Sequence, residues 1–369
     1  MSWSVATGRP HWSPCARAAR CRPPRSSNGS DCESEPPVRV RPEPENLGGG
    51  LWSVPVPIPG NPLGYTLVYA LESERGPVLV DAGWNHPDAW EALSGGLGAV
   101  GLDVTDVYGV VVTHFHPDHA GLAGQVREAS GAWVAMHHED AALIRRIRTE
   151  GSKVDEAWMM AEMRRAGAGP AELAERFEHG RMPPPADPDR ELSDGELVDL
   201  PGRKLRTVWT PGHTPGHICL HLEDGDRIFT GDHVLPRITP HIALYPYDAP
   251  ADVDPLGDFL ASLERVAEVP AGEVLPAHQY RFAGLGDRVQ EIIDHHEERL
   301  TSLMEMLAAG PATLWQLAAG MPWRDPWDQM PLGSRRMATA EAAAHLRTLE
   351  RRGLVHRQGS DDVIGFARG

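Results

Sequence analysis

The stretch that most constrains this chain is Val110-Val111-Val112-Thr113-His114-Phe115-His116-Pro117-Asp118-His119-Ala120-Gly121. A β-branched apolar run, the pattern of a buried strand, ends in three histidines and an aspartate within six positions. Imidazole and carboxylate at one strand end form a donor set that a borderline-soft divalent ion such as zinc selects.

Two further turns and one strand end carry the same chemistry. Thr210-Pro211-Gly212-His213-Thr214-Pro215-Gly216-His217 follows the strand-like Lys204 to Trp209. Thr230-Gly231-Asp232-His233 follows Arg227 to Thr230, and Glu273-Val274-Leu275 runs into Pro276-Ala277-His278. Ligands placed after strands can converge on one sheet edge. His114 and His116, as alternate residues, can face one ion, while Asp118 and His119 on the following helix start can face another. Asp232 can bridge two ions ~3.5–4 Å apart, where a bridging water loses its proton near neutral pH. His213 and His278 complete the two sets. Asp81, at the end of Pro77 to Asp81, is open between a turn residue and a carboxylate that orients a metal-binding histidine.

The strand-and-helix alternation from Leu51 onward predicts an α/β or α+β sandwich rather than a bundle. Strands are expected at 51–56, 65–71, 107–113, 133–136, 196–200 and 217–222, and a helix at 119–129. Residues 150–185 interrupt the pattern with amphipathic helices over 153–165 and 170–179. Trp158, Met159, Met160 and Met163 there either line a substrate pocket or pack into the core. Residues 286–369 read as a separate unit, with helices over 287–309, 313–321 and 339–352 and then a hairpin. That is the element order of a winged helix. Residues 1–45, rich in Pro, Arg and Ser, read as a disordered leader.

The chain has 369 residues, of which 41% are hydrophobic and 24% charged, enough for a sizeable core. Its formal net charge of -17 disfavours gripping a polyanion, so the expected partner is a small-molecule substrate, with nucleic acid disfavoured. No apolar run reaches the ~20 residues of a membrane span. Three of the four cysteines lie in the first 32 residues, which is no disulfide framework and points to a reducing cytoplasm.

Together, Thr-His-x-His-x-Asp-His, Thr-Pro-Gly-His-Thr-x-Gly-His, Thr-Gly-Asp and Pro-x-His resemble the metallo-β-lactamase fold hydrolases over about residues 51–282. The resemblance implies a four-layer αββα sandwich over 46–285. It also implies a first zinc on His114, His116 and His213, and a second on Asp118, His119 and His278, with Asp232 bridging. Iron or manganese could replace zinc, and Asp81 matches the family's early-strand carboxylate. With a winged-helix unit behind, the chain is similar to the subgroup of lactamase-like endoribonucleases and acyl-carrier-protein thioesterases.

The expected function is dinuclear zinc hydrolysis of an ester, thioester or related bond by a metal-bridging hydroxide. Asp118 shuttles a proton in that scheme, and His233 touches the substrate or the oxyanion. Endoribonuclease or phosphodiesterase activity and a mononuclear iron sulfur dioxygenase are the alternatives within this fold, and a DNA-binding regulator is the alternative outside it. The C-terminal unit is expected to pack on the catalytic domain or to form a homodimer. His217 is expected to be a hydrogen-bonded structural residue, and His137, His138, His221, His295 and His296 surface or packing residues. The tyrosine that acyl-homoserine lactonases carry after the bridging aspartate is replaced by Val234 and Leu235, with Tyr245 and Tyr247 further on.

Overall fold

Strand alternation sorts the apolar side chains into layers. The computed structural model describes residues 41–150, 156–175, 184–244, 252–358 and 363–369. The expected leader through residue 40, the 359–362 turn, Tyr245, Tyr247 and the side chain of Met159 lie outside them.

A seven-stranded sheet is built in chain order from β1 (Glu45–Asn46), β2 (Leu51–Pro57), β3 (Tyr65–Leu71), β4 (Val78–Val80), β5 (Gly109–Val111), β6 (Trp133–His137) and β7 (Arg190–Leu192). It is antiparallel from β1 to β4 and parallel from β4 to β7. Between its strands run α1 (Pro87–Ala99), α2 (Pro117–Ala120), α3 (Ala123–Ser130), α4 (His138–Glu150), α5 (Glu156–Ala166) and α6 (Pro170–Ala174). A second sheet holds β8 (Leu205–Trp209), β9 (Ile218–Leu222), β10 (Arg227–Gly231) and, after α7 (Pro255–Ala267), β11 (Glu273–Pro276), in the order β11-β10-β9-β8.

Side chains alternate across a strand. Leu67, Tyr69 and Leu71 of β3 therefore meet Leu220, Phe229 and Leu275 between the two sheets. Val68 and Ala70 face the opposite way, into a cluster with Leu93 and Leu97 of α1 and Val126 of α3. Cys219, Ile228 and Val274 line the far face of the second sheet. The layers are thus helix, sheet, sheet, helix.

The chain ends in α8 (Leu285–Ala308), β12 (Ala312–Thr313), α9 (Leu314–Gly320), α10 (Leu332–Arg351), β13 (Val355–Gln358) and β14 (Gly365–Arg368), the strands forming a third sheet in the order β12-β14-β13. Leu300 and Leu303 of α8 and Leu346 of α10 belong to the same apolar cluster as Ile228 and Val274, so this segment shares one core with the second sheet. Met163 is buried in that cluster and Met160 packs against it, which places both in the core rather than along a pocket. Among the described residues no helix is long and apolar enough to cross a membrane.

Three expected elements differ. The 119–129 helix is two helices, because the Leu122 N–H turns to the Gly83 carbonyl at 3.0 Å. The 196–200 strand is reduced to an antiparallel bridge from Leu197 to Arg206 of β8, since Gly195 at φ 74 turns the chain just before it, and β7 forms further back beside β6. The third C-terminal helix begins at Leu332 rather than 339, with Pro331 at its N-cap.

Candidate metal centre

Every ligand-type residue of the sequence motifs sits just past the carboxyl end of a strand, β4, β5, β8, β10 or β11, where open α/β sheets collect their ligands. Three groups of side chains offer ligand atoms within 4.8 Å of one another: His114, His116 and His213; His114, His119 and Asp232; Asp118, His119 and His278.

Hydrogen bonding at the outer ring nitrogens fixes what faces inward. His213 Nδ1 donates to the His241 carbonyl at 2.9 Å and His278 Nδ1 to the Tyr65 carbonyl at 3.0 Å. His119 Nδ1 meets Asp81 Oδ2 at 2.8 Å. The Thr113 hydroxyl, held by Asp81 at 3.0 Å, lies 3.1 Å from His114 Nδ1. A ring that directs its proton outward presents a lone pair inward. His114 Nε2 and His213 Nε2 then converge on His116 Nδ1 at 3.0 and 3.1 Å.

The second half tests whether an ion belongs there. His119 Nε2, His278 Nε2 and Asp232 Oδ1 are buried and have no hydrogen-bond partner. Asp232 Oδ1 stands 3.5 Å from His119 Nε2 and 3.3 Å from His278 Nε2, and Asp232 Oδ2 stands 3.6 Å from His213 Nε2. Three orphaned polar atoms aimed at one point would each cost stability unless a cation satisfied them. The residues fit a divalent metal, and Asp232 lies between the two halves.

The protonation pattern follows from the charges. Burial, then the neighbouring rings, lowers His114 well below the usual imidazole range and brings His116 to about 3, which keeps both neutral. Burial lowers His213 as well. Burial also opposes charge on His278, but the Asp232 and Asp118 carboxylates outweigh it and raise it to about 10. His119 is raised against burial by Asp232, Asp81 and Asp118. Asp118 drops to about 2 despite burial, drawn down by His119 and His278. This acidic half demands positive charge.

Motif reasoning missed two supports. Asp140, fully buried on α4, accepts from Phe115 N at 2.8 Å, Gly216 N at 2.7 Å and the Thr214 hydroxyl at 2.9 Å, tying the first ligand turn to the second. Its sequence setting, an acid in the first turn of a helix, is too ordinary to single out. His241 carries no motif, because its backbone carbonyl does the holding. His217 has the expected structural place: it accepts from Asp232 N at 3.2 Å and meets the Thr210 hydroxyl at 2.7 Å. His233 is fully buried, with its ring centroid 4.9 Å from that of Phe259. His137 and His296 are buried packing residues.

Residues 61–278 match the family model described as the metallo-beta-lactamase superfamily. A metallo-beta-lactamase family protein from Thermus thermophilus superposes with a TM-score of 0.72 at 33% identity, over 88% of this chain and 100% of that one. A beta-lactamase domain protein from Burkholderia ambifaria gives 0.73 at 27% identity, over 92% and 96%. The lactamase-like protein adaB of Aspergillus niger is 25% identical over 265 residues, 71% of this chain and 66% of its own length. The lactamase-like protein nscB of Aspergillus fumigatus is 30% identical over 118 residues, 32% of each chain. The chain thus spans just under two thirds of the first of these curated relatives and a third of the second. The matched stretch, more than half of the sequence, carries every ligand described above, and the chain belongs to the metallo-beta-lactamase superfamily. Members of that superfamily are metal-dependent hydrolases.

Proposed function

We propose that this chain is a dinuclear zinc hydrolase acting on an ester, thioester or related small-molecule bond. The observation that carries the reading is the pairing of two ligand groups, His114–His116–His213 and Asp118–His119–His278, with Asp232 between them. Two divalent ions bound there would lower the pKa of a water and polarise the oxygen under attack. Asp81 and the Tyr65 and His241 carbonyls orient the rings. Asp118 Oδ2, 3.4 Å from His278 Nε2 on a side chain partly open to solvent, would take up a proton and return it to the leaving group.

The wall beside His116 and His213 supports that substrate class. Phe115, Pro211, Pro215, Val253 and Asp258 line a small cavity there of about 50 Å³. Apolar walls and a carboxylate suit a neutral acyl group and repel a phosphodiester. The C-terminal elements α8 to β14 read as a winged-helix-like unit used for packing. Several of its arginines are engaged within the protein: Arg347 donates to the Val253 carbonyl, Arg352 pairs with Glu297 and Arg357 with Glu350. That leaves a poor surface for DNA or RNA phosphates.

The test is a panel of thioesters, esters, lactones, β-lactams and phosphodiesters offered to metal-replete protein. Turnover is expected on the thioester or ester arm, and turnover confined to phosphodiesters would overturn the reading.

A further inference from the structure

Between β10 and α7 the chain lays residues 233–244 as a strap between the metal centre and the C-terminal helices. On its inner side the His241 carbonyl receives the Nδ1 proton of His213. That bond decides which nitrogen of His213 faces His114 and His116. On its outer side the strap is held by helices lying beyond the stretch that matches the family model. His241 Nε2 donates to the Met337 carbonyl of α10 at 3.0 Å, and Leu244 N to the Ala340 carbonyl at 3.1 Å. From α8, Arg288 Nε donates to the Leu235 carbonyl at 2.7 Å and its Nη2 to the Ile238 carbonyl at 3.0 Å.

The opposite ligand group is anchored differently. His119 leans on Asp81 at the end of β4, and His278 on the Tyr65 carbonyl of β3, both within the first sheet. His119, His278 and, through Thr113 and Asp81, His114 are therefore braced by the sandwich, whereas His213 is braced through a strap that the C-terminal helices hold.

We infer that His241 and Arg288 are positioning residues for His213, and that the C-terminal helices tune metal affinity at the three-histidine group alone. The inference rests on the two-metal reading above and gives the C-terminal unit a role in that site. A partner that orients a metal-binding histidine is worth about 10–100-fold in affinity. Loosening the strap should therefore weaken one metal-binding step and spare the other.

The experiment is a cobalt(II) titration of the full chain, followed by visible absorbance, for the wild type, His241→Ala, His241→Gln and Arg288→Met. His241→Ala and Arg288→Met are expected to weaken one of two binding steps by about 10-fold or more, leaving the other within about twofold. His241→Gln keeps an N–H donor for Met337 and is expected to restore the weakened step. Unchanged binding in both His241→Ala and Arg288→Met would overturn the inference, as would a parallel loss at both steps or a Gln variant as weak as Ala. Wild-type protein that binds two cobalt ions but hydrolyses no ester or thioester would sink the proposed activity and not this inference, whose readout is binding alone.

Discussion

At the scale of single residues, the centre depends on side chains that touch no ligand atom directed at a metal. Asp140→Ala leaves the buried Gly216 N–H, the half-buried Phe115 N–H and the Thr214 hydroxyl without an acceptor. Each such orphan costs about 1–3 kcal/mol, so urea unfolding should show a loss of about 3 kcal/mol or more. Asp140→Asn keeps the shape but turns an amide N–H₂ towards a donor, and an intermediate loss is expected. Asp81→Ala removes the partner of His119 Nδ1 and of the Thr113 hydroxyl. Its metal affinity should fall about 10–100-fold in competition with a chromophoric chelator, and wild-type affinity would refute the orienting role. The ligands themselves were legible in the sequence because His114, His116, Asp118 and His119 crowd one strand end. Asp140 and His241 were not: one acts from an ordinary helix turn and the other through its backbone, and neither leaves a spacing to read.

At the scale of elements, the second ligand turn is shaped by two close approaches. Gly212 has φ +136, and a Cβ there would lie 2.4 Å from Phe259 Cβ and 2.5 Å from its Cα. A Cβ on Gly216 would come 2.4 Å from Asp140 N. Gly212→Ala must move α7 or the turn, so a destabilisation of at least about 2 kcal/mol is expected, with weakened metal binding at His213. A variant matching wild type in both unfolding midpoint and metal affinity would contradict this close packing. Most strands of the two sheets were readable as short apolar runs, because both faces of a strand such as β3 or β6 are buried; the short β1 and β7 were not. The helix break at Gly121–Leu122 was not, because a backbone bond to Gly83 decides it, and that bond spans distant sequence. Likewise α10 starts early because Ala338 and Leu332 join the buried core, a tertiary gain that local propensity does not encode.

At the scale of the whole molecule, the C-terminal helices meet over buried histidines. His296 Nδ1 lies 3.1 Å from His345 Nε2 between α8 and α10. Burial, then the charges of His345, His295 and Arg299, brings His296 to about 2. Burial and then Arg299, His295 and His241 bring His345 to about 3 against its bond to the Glu341 carbonyl. The Glu341 carboxylate is itself paired with Arg299. Unfolded histidine titrates near ~6.5, so from about 6.5 down to about 3 the unfolded chain binds more protons. Stability is full above pH ~6.5 and is lost as pH falls below it, by up to ~1.4 kcal/mol per pH unit per histidine. His345→Gln should flatten the stability slope between about pH 5 and 6.5, and an unaltered slope would contradict a neutral buried pair. The central claim, however, concerns the two ligand groups around Asp232. Metal-stripped protein should be titrated with zinc and read by native mass spectrometry, with ester or thioester hydrolysis followed in parallel. Two zinc ions per chain, no hydrolysis before loading and full activity after it are expected; one ion per chain at saturation, or hydrolysis by the stripped protein, would contradict a two-metal hydrolytic centre.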